Sequence, residues 1–402
     1  MTHEHLLDKT FATMNTFNTN AIMPITNRPD AVMVRGEGSW LYDHTGRAYL
    51  DLVQGWAVNC LGHSPAVLVE ALSAQAKQLI NPSPAFFNAP MALLSERLAA
   101  LSGLDYVFFT NSGAEANEGA IKLARKWGAL HKNGAYKIIT MQHGFHGRTL
   151  ATMSASGKEA WETLFEPKVP GFSKIPLNDS AALEAAITPD TVAIMLELIQ
   201  GEGGVIPVDA SFVAEIRRLA DAHKLLVIVD EVQTGVGRTG TFLASEQWGI
   251  CPDIVTLGKG LGGGIPIAAM VTRKEISCFV PGDQGGTYNG NPLMTAGALA
   301  VVSTVAAPDF LASVRETGAY FAKTLQAFSD RFGQRGIRGR GLLLALLLAD
   351  ERGDALVTAA RDKGLLINAP RPSVLRFMPA LTISKADIDH AFEILAEVFA
   401  GR

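Results

Sequence analysis

Between about residue 105 and residue 271 short apolar runs recur at intervals: "YVFF" at 106–109, "KIITM" at 137–141, "VAIMLEL" at 192–198, "LLVIVD" at 225–230, "DIVTLG" at 253–258 and "IAAMVT" at 267–272. Runs this short and this apolar suit strands buried on both faces. The stretches between them include helical candidates at 115–131 and 211–223, long enough to serve as crossover connections. Parallel strands cannot be joined by a tight turn, so the alternation restricts this part of the chain to an α/β architecture with a mostly parallel sheet.

The flanks follow other patterns. Residues 31–53 alternate around a turn at Asp43-His44-Thr45-Gly46, which predicts an antiparallel hairpin. After residue 306 come a long helical stretch, a strand over 337–348, a helix near 354–363, the extended "VLRFMP" and an amphipathic helix from 385. The division expected is an N-terminal segment 1–55, a large domain 56–305 and a C-terminal part 306–402, with both chain ends combining into a smaller α+β domain.

With 402 residues, 48% of them hydrophobic and 18% charged, the chain can bury a large core. Its net charge of -4 gives no electrostatic footprint for nucleic acid or an anionic membrane. The longest apolar run, "GLLLALLLA" at 341–349, falls short of the ~20 residues of a membrane helix and reads as a buried strand. Cys60, Cys251 and Cys278 are scattered and form no Cys-x-x-Cys pair, which fits a reducing cytoplasm. The opening "MTHEHLLDKTFATMNTF" carries Glu4 and Asp8 and lacks the apolar core of a secretory signal.

In parallel sheets ligands sit beyond the carboxyl ends of the strands, so polar residues that follow apolar runs are the candidates for chemistry. Asp230 ends "LLVIVD", with Gln233 three residues on; it is either a helix or turn cap or an anion beside a cationic ring nitrogen. "FFTNSGAEANEGA" ends a strand and opens a helix at Ser112-Gly113-Ala114, which is either an ordinary cap or a phosphate cradle. "HGFHGRT" offers Phe145 as a flat face and Arg148 as a carboxylate ligand, while His143 and His146 have no third partner at metal-binding spacing and read as loop histidines. In "TLGKGLGGG" an amine, Lys259, stands where a strand runs out among glycines. It is either a solvated turn lysine or a desolvated nucleophile. An amine for an aldehyde, an anion for a pyridine nitrogen, a helix start for a phosphate and a ring for stacking together match pyridoxal 5'-phosphate.

The order of these motifs resembles the class III (ω-amino acid) aminotransferases of pyridoxal-phosphate fold type I, most of all the acetylornithine/ornithine group. The resemblance runs from "VRGEGSWLYDHTGRAYLDL" through "NSGAEAN", "FHGRT", "IQGEGGV", "VDEVQTGVGRTG", "LGKGLGGG", "GGTYNGNPL" and "IRGRGLL" to "LRFMPAL". It implies a large domain built on a seven-stranded-type sheet flanked by helices. By the same resemblance Lys259 carries the cofactor as a Schiff base and shuttles a proton, and Asp230 keeps the pyridine ring protonated. Gln233 lies near the ring hydroxyl, Phe145 stacks on the ring, Ser112, Gly113 and Ala114 cradle the phosphate, and Thr287 is lent to the phosphate of a neighbouring subunit. A homodimer with shared active sites follows.

For substrates, the resemblance assigns Arg148 to the carboxylate distant from the reacting amine and Arg376 to the α-carboxylate of glutamate or 2-oxoglutarate, with Glu202 as the partner that Arg376 exchanges. It implies transfer of the terminal amino group of N-acetylornithine to 2-oxoglutarate. The alternatives are ornithine, succinylornithine, 4-aminobutyrate or β-alanine as donor, or an aminomutase. Without the resemblance Arg376 and Glu202 read as surface charges. Trp56 is either a core aromatic or a residue at the substrate entrance. Leu198, Ala114 and the short "LGHSPAV" loop around His63 depart from the group's common pattern.

Overall fold

In the computed structural model, which describes residues 17–401, Asp43 closes the expected hairpin: its Oδ1 accepts hydrogen bonds from the Thr45 and Arg47 amides and from the Thr45 hydroxyl. Around that turn lie β1 (Met33–Glu37), β2 (Trp40–Asp43) and β3 (Ala48–Asp51), paired antiparallel. The amino-terminal stretch scanned for a targeting signal lies, but for its last residue, outside the described residues, as does the start of segment 1–55.

The six apolar runs become β4 (Tyr106–Thr110), β5 (Lys137–Met141), β7 (Thr191–Leu196), β8 (Leu226–Asp230), β9 (Ile254–Leu257) and β10 (Ala268–Thr272), and a strand not read from the sequence, β6 (Phe172–Ile175), joins them. The helices α1 (Gly113–His131) and α2 (Ala210–His223) join β4 to β5 and precede β8. One seven-stranded sheet results, in the order β4-β10-β9-β8-β7-β5-β6. Six of the strands are parallel, and β10 alone runs against both of its neighbours. That strand departs from the crossover pattern because residues 258–267 return directly from β9 with one short helical turn, Lys259–Leu261, and no packed helix.

All residues of β7 to β10 are buried, as two-sided cover requires. Phe212, Val213 and Ile216 of α2 pack on one face with Ile194, Val227 and Val229, while Ile121, Leu123 and Ala124 of α1 pack on the other with Val192, Ile228 and Ile254. Each fully buried Val, Leu or Ile contributes roughly 1.5–3 kcal/mol, so this stack fixes the sheet before any polar contact is counted.

From residue 292 onward the chain forms α3 (Pro292–Val305), α4 (Pro308–Arg331), β11 (Ile337–Arg340), β12 (Leu343–Leu347), α5 (Gly353–Asp362), β13 (Leu365–Leu366), β14 (Asn368–Arg371), β15 (Val374–Phe377) and α6 (Lys385–Phe399). Leu365 pairs in parallel with Leu50 of β3, which ties the two flanks of the chain into one sheet. A second sheet runs β11-β12-β15-β14. The single strand expected over 337–348 is a hairpin instead. Gly341 turns it at φ 57, and a Cβ there would stand 2.7 Å from the Arg238 carbonyl oxygen, so neither the angle nor the space suits another residue. Among the described residues no single helix is long and apolar enough to cross a membrane.

One close approach carries a prediction with opposing terms. Gly128 lies inside α1, where alanine is intrinsically favoured by about 1 kcal/mol. Its Cβ would overlap the Ala135 carbonyl oxygen and lie 2.8 Å from Val192. Overlap with backbone outweighs propensity, so Gly128→Ala lowers the urea stability of the protein by about 1–3 kcal/mol. A gain in stability would show that the helix sits further from the sheet than described.

Candidate active site

Parallel pairing of β8 and β9 sets Asp230 beside Thr256, so the chain leaving β9 brings Lys259 to the same sheet end as the carboxylate. A third segment, the start of α1, arrives through close packing. A Cβ on Gly113 would lie 2.7 Å from Val232 Cγ1, and one on Gly258 would lie 3.3 Å from the same carbon and 3.5 Å from Gly113 Cα. Glycine at 113 and 258 therefore lets the helix start, the loop after β8 and the loop after β9 converge. Lys259 itself has φ 46, a left-handed conformation costing a side-chain-bearing residue about 1–2 kcal/mol. Strain of that kind persists where the surroundings over-determine a position.

The three segments line a cavity of about 290 Å³ that includes Gly113, Ala114, Phe145, Arg148, Glu202, Asp230, Gln233 and Lys259. Eight of the residues expected from the sequence thus share one hollow. Ser112 does not line it and instead caps α1: its hydroxyl accepts from the Glu115 amide at 3.3 Å, while Glu115 Oε2 accepts from the Asn111 and Ser112 amides at 2.8 Å. The Ala116 amide donates to the Ser112 carbonyl. Of the first helical amides, those of Gly113 and Ala114 are left for an anion, and both residues line the cavity.

Asp230 is 3% exposed and held from three directions. Its Oδ2 accepts from Asn117 Nδ2 and His146 Nδ1, each at 2.8 Å, and its Oδ1 accepts from the Val232 amide at 3.0 Å. Asn117 also donates to the His146 carbonyl at 2.7 Å and accepts from the Thr256 hydroxyl at 2.7 Å. His146 is therefore a buried partner of the carboxylate and not an ordinary loop histidine, a correction to the sequence expectation. Burial works against its protonation, but the Asp230 hydrogen bond and charge win and raise its pKa. Its Nε2 is buried with no partner. Among the described residues no group of three His, Cys, Asp or Glu side chains is placed to hold a metal.

Asn117 and Glu197 went unremarked in the sequence, yet both carried a signal. Asn117 is the polar residue on the buried side of α1, four positions after Gly113 and hence on the same helix face. Glu197 follows directly on β7, in the same strand-end position as Asp230. It accepts from the Phe145 amide at 2.8 Å and the Gly201 amide at 3.3 Å, and burial pushes its pKa up to about 7. The Lys259 amine is shifted the other way: burial lowers its pKa, and the carboxylates of Glu202, Glu197 and Asp230 only partly offset that.

Arg376 on β15 has no exposed surface, which overturns its reading as a surface charge. Its Nη2 donates to Glu202 Oε1 at 2.8 Å, Nη2 and Nε donate to Asn368 Oδ1 at 2.7 and 3.0 Å, and Nη1 donates to Gln233 Oε1 at 3.3 Å. The pull of Arg376 outweighs the burial of Glu202 and keeps that carboxyl below its usual range. Trp56 is 51% exposed with its ring 5.7 Å from the Arg376 guanidinium, so it is not a core aromatic. It belongs to a run, Gln54–Ala57, in which every φ is positive. Arg148 is exposed with its guanidinium 5.4 Å from the Trp161 ring, and Thr287 is exposed and outside the cavity lining. Free helix amides, an anion with buried donors, a readily deprotonated amine and the Phe145 ring fit the phosphate, ring nitrogen, aldehyde and ring face of pyridoxal 5'-phosphate.

A pH test isolates the His146–Asp230 pair. Because the folded pKa of His146 lies above its unfolded value of 6.5, the stability it adds is complete below that pH and is lost as pH rises through the folded value. In cofactor-free protein, His146→Gln should flatten the fall in urea midpoint as pH rises above 6.5. An unchanged slope would show that the pair is not ionised in the native state.

Comparison with known proteins agrees with this geometry. Residues 23–399 match the aminotransferase class-III family. The acetylornithine aminotransferase of Ralstonia nicotianae is 60% identical over 376 residues, covering 92% of this chain and 94% of that protein. The crystal structure of N-acetylornithine aminotransferase from Stenotrophomonas maltophilia superposes with a TM-score of 0.82 at 36% identity, over 93% of this chain and 96% of that one. Ornithine aminotransferase from Toxoplasma gondii superposes with a TM-score of 0.90 at 32% identity, over 95% and 93% of the two chains. The chain belongs to the class-III aminotransferases, enzymes that depend on pyridoxal 5'-phosphate.

Proposed function

We propose that this enzyme moves the terminal amino group of N-acetylornithine, or of a close ω-amino acid, to 2-oxoglutarate, giving the semialdehyde and glutamate in two alternating half-reactions. The observation that carries the reading is the Arg376–Glu202 pair. A guanidinium with no exposed surface needs a counter-charge, and a carboxylate on a loop can be exchanged for the carboxylate of a dicarboxylic substrate. The Ralstonia relative, named for acetylornithine, supports that donor.

Pyridoxal 5'-phosphate, when bound, supplies an aldehyde that takes up an amine and a ring that withdraws electrons from the substrate carbon. Lys259 would hold it covalently through Nζ, and the same amine, when free, would move a proton at the substrate carbon. Its lowered pKa serves both tasks, since nucleophile and base must be unprotonated. Asp230, fixed by Asn117, His146 and the Val232 amide, holds a proton on the pyridine nitrogen. Gly113 and Ala114 would take the phosphate at the helix start that Ser112 caps, with Phe145 available to a ring face and Gln233 to the ring hydroxyl.

Arg148 takes the substrate carboxylate far from the reacting amine. Arg376 takes the α-carboxylate of glutamate or 2-oxoglutarate once Glu202 releases it, and Trp56 bounds the entrance above it. Thr287, exposed on its own subunit, completes the phosphate site of a neighbour, so the working unit is a cytoplasmic homodimer with shared active sites.

Adding candidate donors one at a time and following the bound cofactor's absorbance tests the donor. N-acetylornithine should convert the aldehyde form to the amine form; a response to 4-aminobutyrate and none to N-acetylornithine would contradict the assignment. Lys259→Ala should leave no borohydride-fixed cofactor on the 254–266 peptide in mass spectra, and a retained adduct would refute the lysine assignment. Glu202→Ala leaves Arg376 permanently available, so the preference for terminal amines over the α-amine of glutamate should fall by about 10–100-fold. An unaltered preference would mean that the pair does not sort the substrates.

A further inference from the structure

If Glu202 leaves Arg376 for half of each catalytic cycle, a partly buried carboxylate is left without its counter-ion, which is strongly unfavourable unless another cation receives it. Lys158 is placed to do so. Its ammonium stands 4.0 Å from Glu202 Oε2 while Glu202 Oε1 is still 2.8 Å from Arg376. Shortening 4.0 Å to the 2.8 Å of the existing pair takes about 1.2 Å, within reach of a rotation of the Glu202 side chain.

Besides Arg376, the cations that act on Glu202 are Lys259, proposed above to carry the cofactor, and Lys158; the arginines around Lys158 have attachments of their own. Arg371 Nη2 is 3.2 Å from His143 Nδ1, and the Arg148 guanidinium lies over Trp161. Lys158 shares the Trp161 ring with Arg148 and also faces Phe145: its ammonium is 5.1 Å from the centroid of Trp161 and 5.7 Å from that of Phe145. The backbone beneath it is pinned to the "HGFHGRT" loop, with the Gly157 amide donating to the Gly144 carbonyl at 3.0 Å and the His143 amide donating to the Gly157 carbonyl at 2.9 Å. Burial and the neighbouring arginines lower the pKa of Lys158 while Glu202 raises it, so a closer Glu202 stabilises the ammonium as well as the carboxylate.

We infer that Lys158 is a positioning residue for the substrate switch, the cation to which Glu202 transfers when a dicarboxylate occupies Arg376. The inference rests on the two-state use of the Arg376–Glu202 pair proposed above. Lys158 acts through Glu202, so it favours the glutamate and 2-oxoglutarate half-reaction and is neutral toward the ω-amine one.

Single-turnover kinetics of full-length holoenzyme test this, measuring each half-reaction separately for the wild type, Lys158→Met and Lys158→Arg. The methionine variant should raise the half-saturating concentrations of glutamate and 2-oxoglutarate by about tenfold, leave N-acetylornithine within about twofold, and be rescued by arginine. Equal weakening of both half-reactions would overturn the inference, since Lys158 would then merely attract substrate carboxylates. No change in either would overturn it as well. If wild-type enzyme turned over glutamate but no ω-amine, the donor reading would fail, while the glutamate measurements would still decide the role of Lys158.

Discussion

The register of two parallel strands governs this active site. With Asp230 opposite Thr256, an anion ends one strand and an amine follows the other after only Leu257 and Gly258. A slip of one residue in either strand would turn its side chains toward the opposite sheet face and separate the anion from the amine, so the register of β8 and β9 sets the chemistry as well as the fold. Ile228 and Ile254 pack toward α1, and Val227 and Val229 toward α2, so both faces of the pairing are covered.

Around that register the protein maintains several arrangements that would be costly elsewhere. Lys259 is left-handed, Gln54 to Ala57 form a left-handed turn, and Arg376 is a guanidinium without exposure. Each is held by neighbours: tight packing at Gly113 and Gly258, backbone bonds from Ala57 and Val58 back to Val53 and Gln54, and acceptors on Asn368, Gln233 and Glu202. The charge pattern is graded. Asp230 is locked by three donors, whereas Glu202 meets Arg376 through one oxygen and faces Lys158 with the other. A locked anion suits a role that is constant through the reaction, and a shared one suits a role that alternates.

Much of this was legible in the sequence, for identifiable reasons. Strands buried on both faces leave continuous apolar runs, so the positions of β4, β5 and β7 to β10 could be read, and with them the strand ends where Asp230 and the Gly113 turn lie. Antiparallel β10 could not, because its run looks like the others and only the short return from β9 reverses it. His146 was read as a loop histidine because its role depends on a contact to Asp230 across 84 residues, which no local pattern encodes, whereas Asn117 was readable from its place on the helix face of Gly113. Arg376 misled for the same reason as His146: a lone charge in "VLRFMP" reads as solvent-facing, and its burial comes from Asn368, Gln233 and Trp56 arriving from elsewhere. Glu197 was readable by the strand-end rule that found Asp230.

The most direct test of the account is a crystal structure of the protein with pyridoxal 5'-phosphate bound. It predicts unbroken density from Lys259 Nζ to the aldehyde carbon, with the Asp230 carboxylate as the acid nearest the pyridine nitrogen. Attachment through another lysine, or a ring nitrogen turned away from Asp230, would contradict it.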